Sequence, residues 1–350
     1  DSESPKPLLE EKIELPDKPS IAVLPFDNMS GDPSQEYFSD GLTEQIISGL
    51  CKVSNLFVIA KSSSFAYKGK AISIKQIAKE LGVKYILEGS VQRGGDRVRI
   101  TAQLIDAVTD YHMWSETYDR NLEDIFALQD EITMKLISAM EVNLTFGEQA
   151  RLWAGHTTSS IKAYDKLMRG IELSNRLNKQ DNIQARKFVE EAIKNDSTYA
   201  LAYVVLGFTY LNEIIYWWTN KHRTEYFEQA KRYADKAIEI SISLDYAHTF
   251  LGVIYLASYQ HVKAIEEQEM ALSLNPNGAD TLYYLAFSYG CSGEPIKAIA
   301  LIKKAFRLNP LPPPWYYWGL GLIFHMNKEY QDAISASIKC ISIASDFIPP

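Results

Sequence analysis

The stretch Ala247–Pro276, AHTFLGVIYLASYQHVKAIEEQEMALSLNP, decides how the larger half of the chain reads. Within it Gly252 is followed three residues later by Tyr255, Ala264 and Ala271 stand seven apart, and Asn275-Pro276 closes the unit. A small residue lets two helices approach closely. An aromatic three positions on shares its helix face and fills the neighbouring gap, and a proline stops the second helix. The pattern recurs. Ala185, Ala230, Ala264, Ala298 and Ala333 are spaced by 45, 34, 34 and 35 residues. Seven positions after each comes Ala192, Ala237, Ala271, Ala305 and Cys340. Upstream stand Gly170, Gly207, Gly252, Ala286 and Gly321, with Tyr210, Tyr255, Tyr289 and Phe324 three later in four of the five. Asn309-Pro310 closes a second unit. A fixed period of this length marks stacked helical repeats.

These residues resemble the tetratricopeptide repeat (TPR), a helix–turn–helix of about 34 residues. The likeness covers five units over 160–350. Its first unit is degenerate, with Lys166 where an aromatic is usual and Ser197 in place of the proline. The second carries about eleven extra residues around IIYWWTNKHRTEY, and the last has Ser345 where the proline would stand. The resemblance implies an all-α superhelix whose first helices line a concave face.

Residues 20–145 alternate strand and helix signals. The expected elements are strands at Ser20–Phe26 and Leu56–Ala60, a helix over Glu36–Val53, and a helix capped by Ser73 and stopped by Gly82. Tyr85–Gln92 and Arg97–Asp106 flank Gly94-Gly95 as a hairpin, Tyr111–Tyr118 adds a third antiparallel strand, and Leu122–Leu144 returns to helix. This order predicts an α/β domain, a mixed sheet with flanking helices. Residues 1–19, with six acidic and three basic side chains and prolines at 5, 7, 16 and 19, read as a linker.

The loop after the first strand, Asp27-Asn28-Met29-Ser30-Gly31-Asp32-Pro33, invites comparison with a phosphate cradle. It has one glycine, no lysine and two aspartates, so it reads as a turn formed by Asn28, Asp32 and Pro33. The segments IAVLPFDNMSGDPSQEYFSDGLTEQII, LFVIAKSSSFAYKGK and AKELGVKYILEGSVQRGGDRVRITAQLIDAVTDYHMWSETYDRNLEDIFALQDEI resemble the TolB-amino-terminal-like domain, almost unbroken from Lys18 to about Leu144. In bacterial proteins that domain often precedes tetratricopeptide repeats. The resemblance implies an upstream partner: commonly a class III adenylate/guanylate cyclase domain, in other cases a winged-helix DNA-binding domain. The chain opens at Asp1 rather than Met, so it reads as a fragment or processed form, and reading the gene upstream would separate the two.

Net charge is −8, which argues against a nucleic-acid binder. Cys51, Cys291 and Cys340 are scattered, with no CxxC, and read as reduced thiols. That points to the cytoplasm, although a membrane helix before Asp1 would place the region elsewhere. No signal peptide or membrane span is evident. Histidines 112, 156, 222, 248, 261 and 325 form no HxxxH or HExxH pattern, so no metal or cofactor is expected. His248 falls at a packing position of the repeat. KSSSFAYKG reads as a strand-to-loop turn, and Asp119-Arg120 as a turn with a surface pair. Glu88 is either a ligand contact or a partner of Arg97, Arg99 or Lys84 across the hairpin. An enzyme with an unfamiliar site in 20–145 would need a titrating cleft residue, with Glu88 and Asp40 the candidates. No catalytic motif is present.

Mapping the repeat's usual lining positions gives Phe208 and Asn212, Tyr246 and Thr249, Tyr283 and Phe287, then Trp315, Trp318 and His325. This is an aromatic groove suited to a protein or peptide segment, or else partly intramolecular core. Tyr203 and Tyr210 stand at packing positions. Trp217-Trp218 either covers the groove's edge or meets the first domain. The expectation is a non-catalytic interaction or sensor region acting on an upstream output domain, with a homodimer left open and no direct membrane contact.

Overall fold

The computed structural model describes residues 14–153, 158–219 and 223–344. Most of the linker (1–13), His156, His222 and Ser345 lie outside the described residues.

The α/β part is built on six strands: β1 (Ser20–Val23), β2 (Asp27–Asn28), β3 (Phe57–Val58), β4 (Tyr85–Gly94), β5 (Arg97–Asp106) and β6 (Tyr111–Asn121). Their order is β3-β1-β4-β5-β6, with β2 beside β4. The β1 pairings are parallel and those of β5 antiparallel. β1 ends before Pro25, which has no N–H to give a ladder, and pairing resumes at β2. The hairpin turns at Gly95 (φ 57°), a left-handed position that glycine takes without strain.

Helices α1 (Glu36–Cys51), α2 (Lys61–Phe65), α3 (Ile74–Leu81), α4 (Ile125–Ala139) and α5 (Phe146–Trp153) surround the sheet. α3 forms as its caps dictate: Ser73 Oγ accepts from the Gln76 N–H, and Gly82 closes the helix at φ 64°. The loop before α1 is a turn, as expected. Asn28 Nδ2 donates to the Asp32 carbonyl (2.9 Å), and Asp32 Oδ1 accepts from the Ser34 N–H (2.9 Å).

Three readings are corrected. KSSSF is a short helix, α2, rather than a turn, because the Ser63 hydroxyl is buried against Asn309. Asp119 and Arg120 lie inside β6 rather than after it, opposite Arg99 and Val98. The long final helix starts late, at Ile125 after a 3-10 turn, and stops at Ala139 just before Glu141 (φ 55°).

The remainder is five antiparallel helix pairs: α6 (Ile161–Ser174) with α7 (Lys179–Asn195), α8 (Ala200–Ile215) with α9 (Arg223–Ile240), α10 (Asp245–Ala257) with α11 (His261–Leu274), α12 (Ala279–Cys291) with α13 (Pro295–Leu308), and α14 (Pro314–Met326) with α15 (Tyr330–Ile343). The small residues are there for contact. A Cβ on Gly170 would stand 2.6 Å from Val189 Cγ2, and one on Gly207 2.4 Å from the Phe250 ring. The molecule is therefore a mixed α/β sheet followed by an all-α TPR superhelix.

Period-two alternation divides the sheet's side chains between two cores. Ile21, Val23, Tyr85 and Leu87 join α1, α4 and the first two helix pairs, with Tyr164, Met168 and Leu206 among them. Ala22, Leu24 and Ile86 face the other way, into a core shared with α3 and the last two pairs. The array thus grips the sheet from both sides.

Candidate functional site

The nine expected groove residues divide into two sets. Asn212, Thr249 and Tyr283 are buried, at 9%, 5% and 3% exposure. Thr249 Oγ1 meets Thr281 Oγ1 across two units (2.8 Å), and Tyr283 OH donates to the Trp315 carbonyl (3.0 Å). Phe208 is half-buried against Phe250, with ring centroids 4.2 Å apart. Asn212, Thr249 and Tyr283 are thus closed off by burial, and Phe208 packs against the next unit. Tyr246 and His325 are exposed, while Phe287, Trp315 and Trp318 are half-buried. Phe287 stacks on Trp318 (5.7 Å) and Trp315 on Tyr284 (5.8 Å). Tyr284, missed in the sequence, belongs to this aromatic face. Adjacent repeats bring such rings together because equivalent positions of successive first helices stack.

Tyr203 and Tyr210 pack as expected, both against Tyr233. In the insertion Trp217 is exposed beneath the Arg223 guanidinium and Trp218 stacks on Tyr216 (5.1 Å), so among the described residues their ring contacts lie within the array. His248 is a packing residue: its ring nitrogens meet Glu267 Oε2 (2.7 Å) and the Ile242 carbonyl (2.8 Å).

What the sequence did not reveal is that the array holds the protein's own α/β part along a polar seam. At the first unit, Arg93 Nη1 and Tyr37 OH both donate to Asp165 Oδ1 (2.8 and 2.5 Å), and Phe38 meets Tyr164 edge to face. Gly41 makes room for Met168, whose Sδ would be 2.6 Å from a Cβ there. Between the third and fourth units, Asn277 Nδ2 donates to the carbonyls of Cys51 (3.2 Å) and Val53 (3.0 Å). Between the fourth and fifth, the hydroxyls of Ser62 and Ser63 donate to Asn309 Oδ1 (2.8 and 2.5 Å), and the Ala60 N–H donates to the Leu308 carbonyl (2.8 Å). Arg307 lies over Phe57 (4.4 Å) and donates to the carbonyls of Gly82 (2.7 Å) and Glu14 (2.8 Å). The end of the linker is thereby held at the seam. A usable signal was the asparagine beside each repeat-closing proline, which supplies a polar side chain to the inter-unit loop.

Charges gather where α1 and α2 meet the array. Lys61 pairs with Glu44, and Tyr316 OH donates to Asp280 Oδ1 (2.5 Å). Burial raises the Asp280 carboxyl above its usual range, opposed by the Tyr316 hydrogen bond and the Lys61 charge. These groups neutralise one another, and the arrangement suits adhesion between the two parts. Of the two residues considered for chemistry, Asp40 alone has an ion-pair partner among the described residues. Asp40 is paired with Lys68 (2.6 Å). Burial raises its carboxyl while the Lys68 hydrogen bond lowers it. Glu88 faces Gln103 across the hairpin, and its expected partners are committed: Arg97 and Arg99 to Asp119, Lys84 to Asp106. Among the described residues no cluster of three or more His, Cys, Asp or Glu is placed to hold a metal ion. Nor is any helix among them long and apolar enough to cross a membrane.

Comparison with known proteins follows the same division. Residues 17–137 match the family model of the HilA/YgeH-like transcriptional regulator, second domain. Over 251 residues the chain is 45% identical to "Putative adenylate cyclase 3" of Rhizobium meliloti (strain 1021). That match takes in 72% of this chain and 42% of the relative, so the chain spans about two-fifths of the relative's length. Among solved structures, the TPR protein TTC0263 of Thermus thermophilus is 18% identical over 53% of this chain and 92% of its own, with a TM-score of 0.43. YrrB, described as a TPR protein with an unusual peptide-binding site, is 19% identical over 53% and 87%, at 0.35. TolB from Acinetobacter baumannii is 15% identical over 36% and 29%, at 0.27. With overlaps this partial, the fold rests on the helix pairs and the sheet themselves.

Proposed function

We propose that this chain is a non-catalytic regulatory region of a longer signalling protein, acting on an adenylate/guanylate cyclase domain outside these residues. The observation that carries this reading is the 45% identity to a relative named as an adenylate cyclase, of which the chain spans only 42%. The working surface in this reading is the accessible aromatic face: Tyr246, Phe287, Trp315, Trp318 and His325, with Tyr284. Flat rings of this kind, exposed or half-buried, suit a protein or peptide segment. Because the array also grips the sheet, a partner that favours one arrangement of the seam would shift the population of states passed to the output domain.

The test uses the full-length natural protein. Proteins captured from its host's lysate on residues 1–350 are added to it, and cyclic nucleotide formation is measured. Stimulation or inhibition of the wild type that is lost in a folded Trp318→Ala variant supports the reading. Full-length protein that forms no cyclic nucleotide under any addition overturns the cyclase assignment. An equal response from the variant overturns the groove.

A second reading has its own support. The HilA/YgeH-like match over 17–137 favours the sensory part of a transcription regulator. Retardation of promoter DNA by the full-length protein, without cyclase activity, would select it.

A further inference from the structure

The last helix, α15, turns an apolar stripe to solvent. Tyr330, Ile334, Ile338 and Ile341 recur along it at helical spacing, and each is more than half exposed. The five units show what such a face ordinarily does. Eight residues after the marker alanine of each unit stand Ile193, Ile238, Leu272, Phe306 and Ile341. The first four pack into cores shared with the following unit, and Phe306 is 8% exposed. Ile341 is 63% exposed, so the stacking surface continues on α15 and is left open. Five residues after the same alanines stand Glu190, Asp235, Glu269, Lys303 and Ile338. The four charged side chains are exposed although a further unit follows each of them. A sixth helix stacked as a repeat would therefore leave Ile338 in water. Whatever covers the whole stripe lies along the outside of α15 and is not another repeat.

We propose that the stripe is the contact between two copies of this chain, with α15 packed antiparallel against α15 about a twofold axis near Ile338. An isologous contact needs a patch that is complementary to itself. Reversing the helix about a point beside Ile338 lays Ile334 of one copy by Ile341 of the other and brings Ile338 to its own counterpart. The borders of the stripe, Gln331, Ser337 and Ser342, carry no charge. Two copies of a protein with net charge −8 repel, so a self-contact belongs where charge is absent. The same borders fit a membrane surface poorly, because a helix lying on lipid flanks its apolar face with Lys and Arg. The four side chains expose on the order of 400–500 Å² of apolar surface, the size at which an exposed patch marks an interaction site. Doubled, that reaches about 1,000 Å², the small end of specific interfaces, so the dimer is reversible. Since α15 is a second helix, the aromatic face of the first helices stays free.

Sedimentation equilibrium of the 350-residue chain over roughly 1–200 μM tests this. The expected result is a monomer–dimer equilibrium. Ile338→Lys sets like charges against each other at the axis and should weaken the dimer at least tenfold, as should Ile338→Glu. Circular dichroism should stay unchanged in both, because the site is exposed. Mixing the two variants should restore the dimer, since opposite charges then meet at the axis. Lys303→Glu, at the equivalent place in the fourth unit, should leave the equilibrium unaltered. A chain that is monomeric throughout the range overturns the proposal, and one that then floats with lipid vesicles assigns the stripe to a membrane surface instead. A dimer that survives both Ile338 substitutions overturns it, and so does a mixture that stays monomeric, which would put Ile338 away from the axis. Because the readout is mass alone, this result is independent of any cyclase or DNA-binding outcome.

Discussion

Asn277 shows how one side chain fastens the two parts of the molecule. Its Nδ2 donates to two carbonyls at the end of α1, those of Cys51 and Val53, and the residue is 3% exposed. Asn277→Leu removes this donor, while the Cys51 carbonyl keeps the Asn277 N–H (3.4 Å) and the Val53 carbonyl keeps the Leu56 N–H (3.3 Å). The expected cost is about 0.5–1.5 kcal/mol per side-chain hydrogen bond lost, with neither acceptor stranded, read from the urea midpoint. A total change under about 0.5 kcal/mol, that of an ordinary surface site, would mean that the side chain adds nothing to those backbone donors. Gly319 makes a steric counterpart. A Cβ there would be 2.1 Å from the Tyr283 hydroxyl and 2.6 Å from its ring, which Trp315 and Tyr316 hold from two sides. Gly319→Ala should lower stability by about 1–3 kcal/mol through overpacking. Gly94→Ala, with nothing within 4 Å of the added carbon, is its neutral control.

At the scale of elements, α5 is tied to the loop before β3 by one carboxylate. Burial works against the charge of Glu148. The Ser54 N–H and hydroxyl donate to Oε1 and those of Thr145 to Oε2, and together they bring the carboxyl down to about 2. A folded value depressed below the usual 4.5 adds stability in full above that pH. The contribution is lost as pH falls from 4.5 towards 2. Its size is about 3 kcal/mol at most. Glu148→Gln should therefore destabilise the protein at about pH 7 and shrink the difference from wild type as the pH is lowered towards about 3. An equal deficit at both pH values would show that the carboxylate charge is not what holds α5. Elements with their own start and stop chemistry were legible in the sequence, as α3 between Ser73 and Gly82 and the hairpin at Gly95 show. α2 was not. It is a five-residue helix holding three serines, which disfavour helix interiors, and it forms because Ser62 and Ser63 reach Asn309. Pro25 cut β1 short for a reason visible in the sequence, the missing N–H. The groove was half legible. Repeat periodicity located the face, but Thr249 and Tyr283 are closed off by neighbours in the next unit, which one unit's pattern does not record.

For the whole molecule, the decisive feature is that the sheet belongs to two cores at once. Ile21 and Val23 point to the core completed by Tyr164 and Met168 of the first unit. Ala22 and Leu24 point to the core completed by Ala279 and Leu282 of the fourth and Tyr316 of the fifth. Contacts spanning more than two hundred residues leave no local trace in composition or spacing, so the clamp was invisible where the repeats were plain. Chains with an α/β part and a repeat array ordinarily unfold in separate steps, and long arrays lose cooperativity along their length. Here each part supplies the other's missing layer, so the sheet and the outer units should unfold together. Native-state hydrogen exchange in rising urea would measure this, with amides of β1 and β4 compared with those of α6 and α12. The expected result is a common opening free energy and a common urea dependence. Arg307→Ala combined with Asn309→Ala removes three side-chain hydrogen bonds to backbone carbonyls and the acceptor for two serine hydroxyls. That variant should separate the two sets, with the sheet opening first because Phe57 and Ile59 lose their cover at the fourth and fifth units. Wild-type sheet and array amides with distinct opening energies would instead mean that the seam is an adhesive contact between independently folding parts. A signal received by the array would then need another route to the sheet.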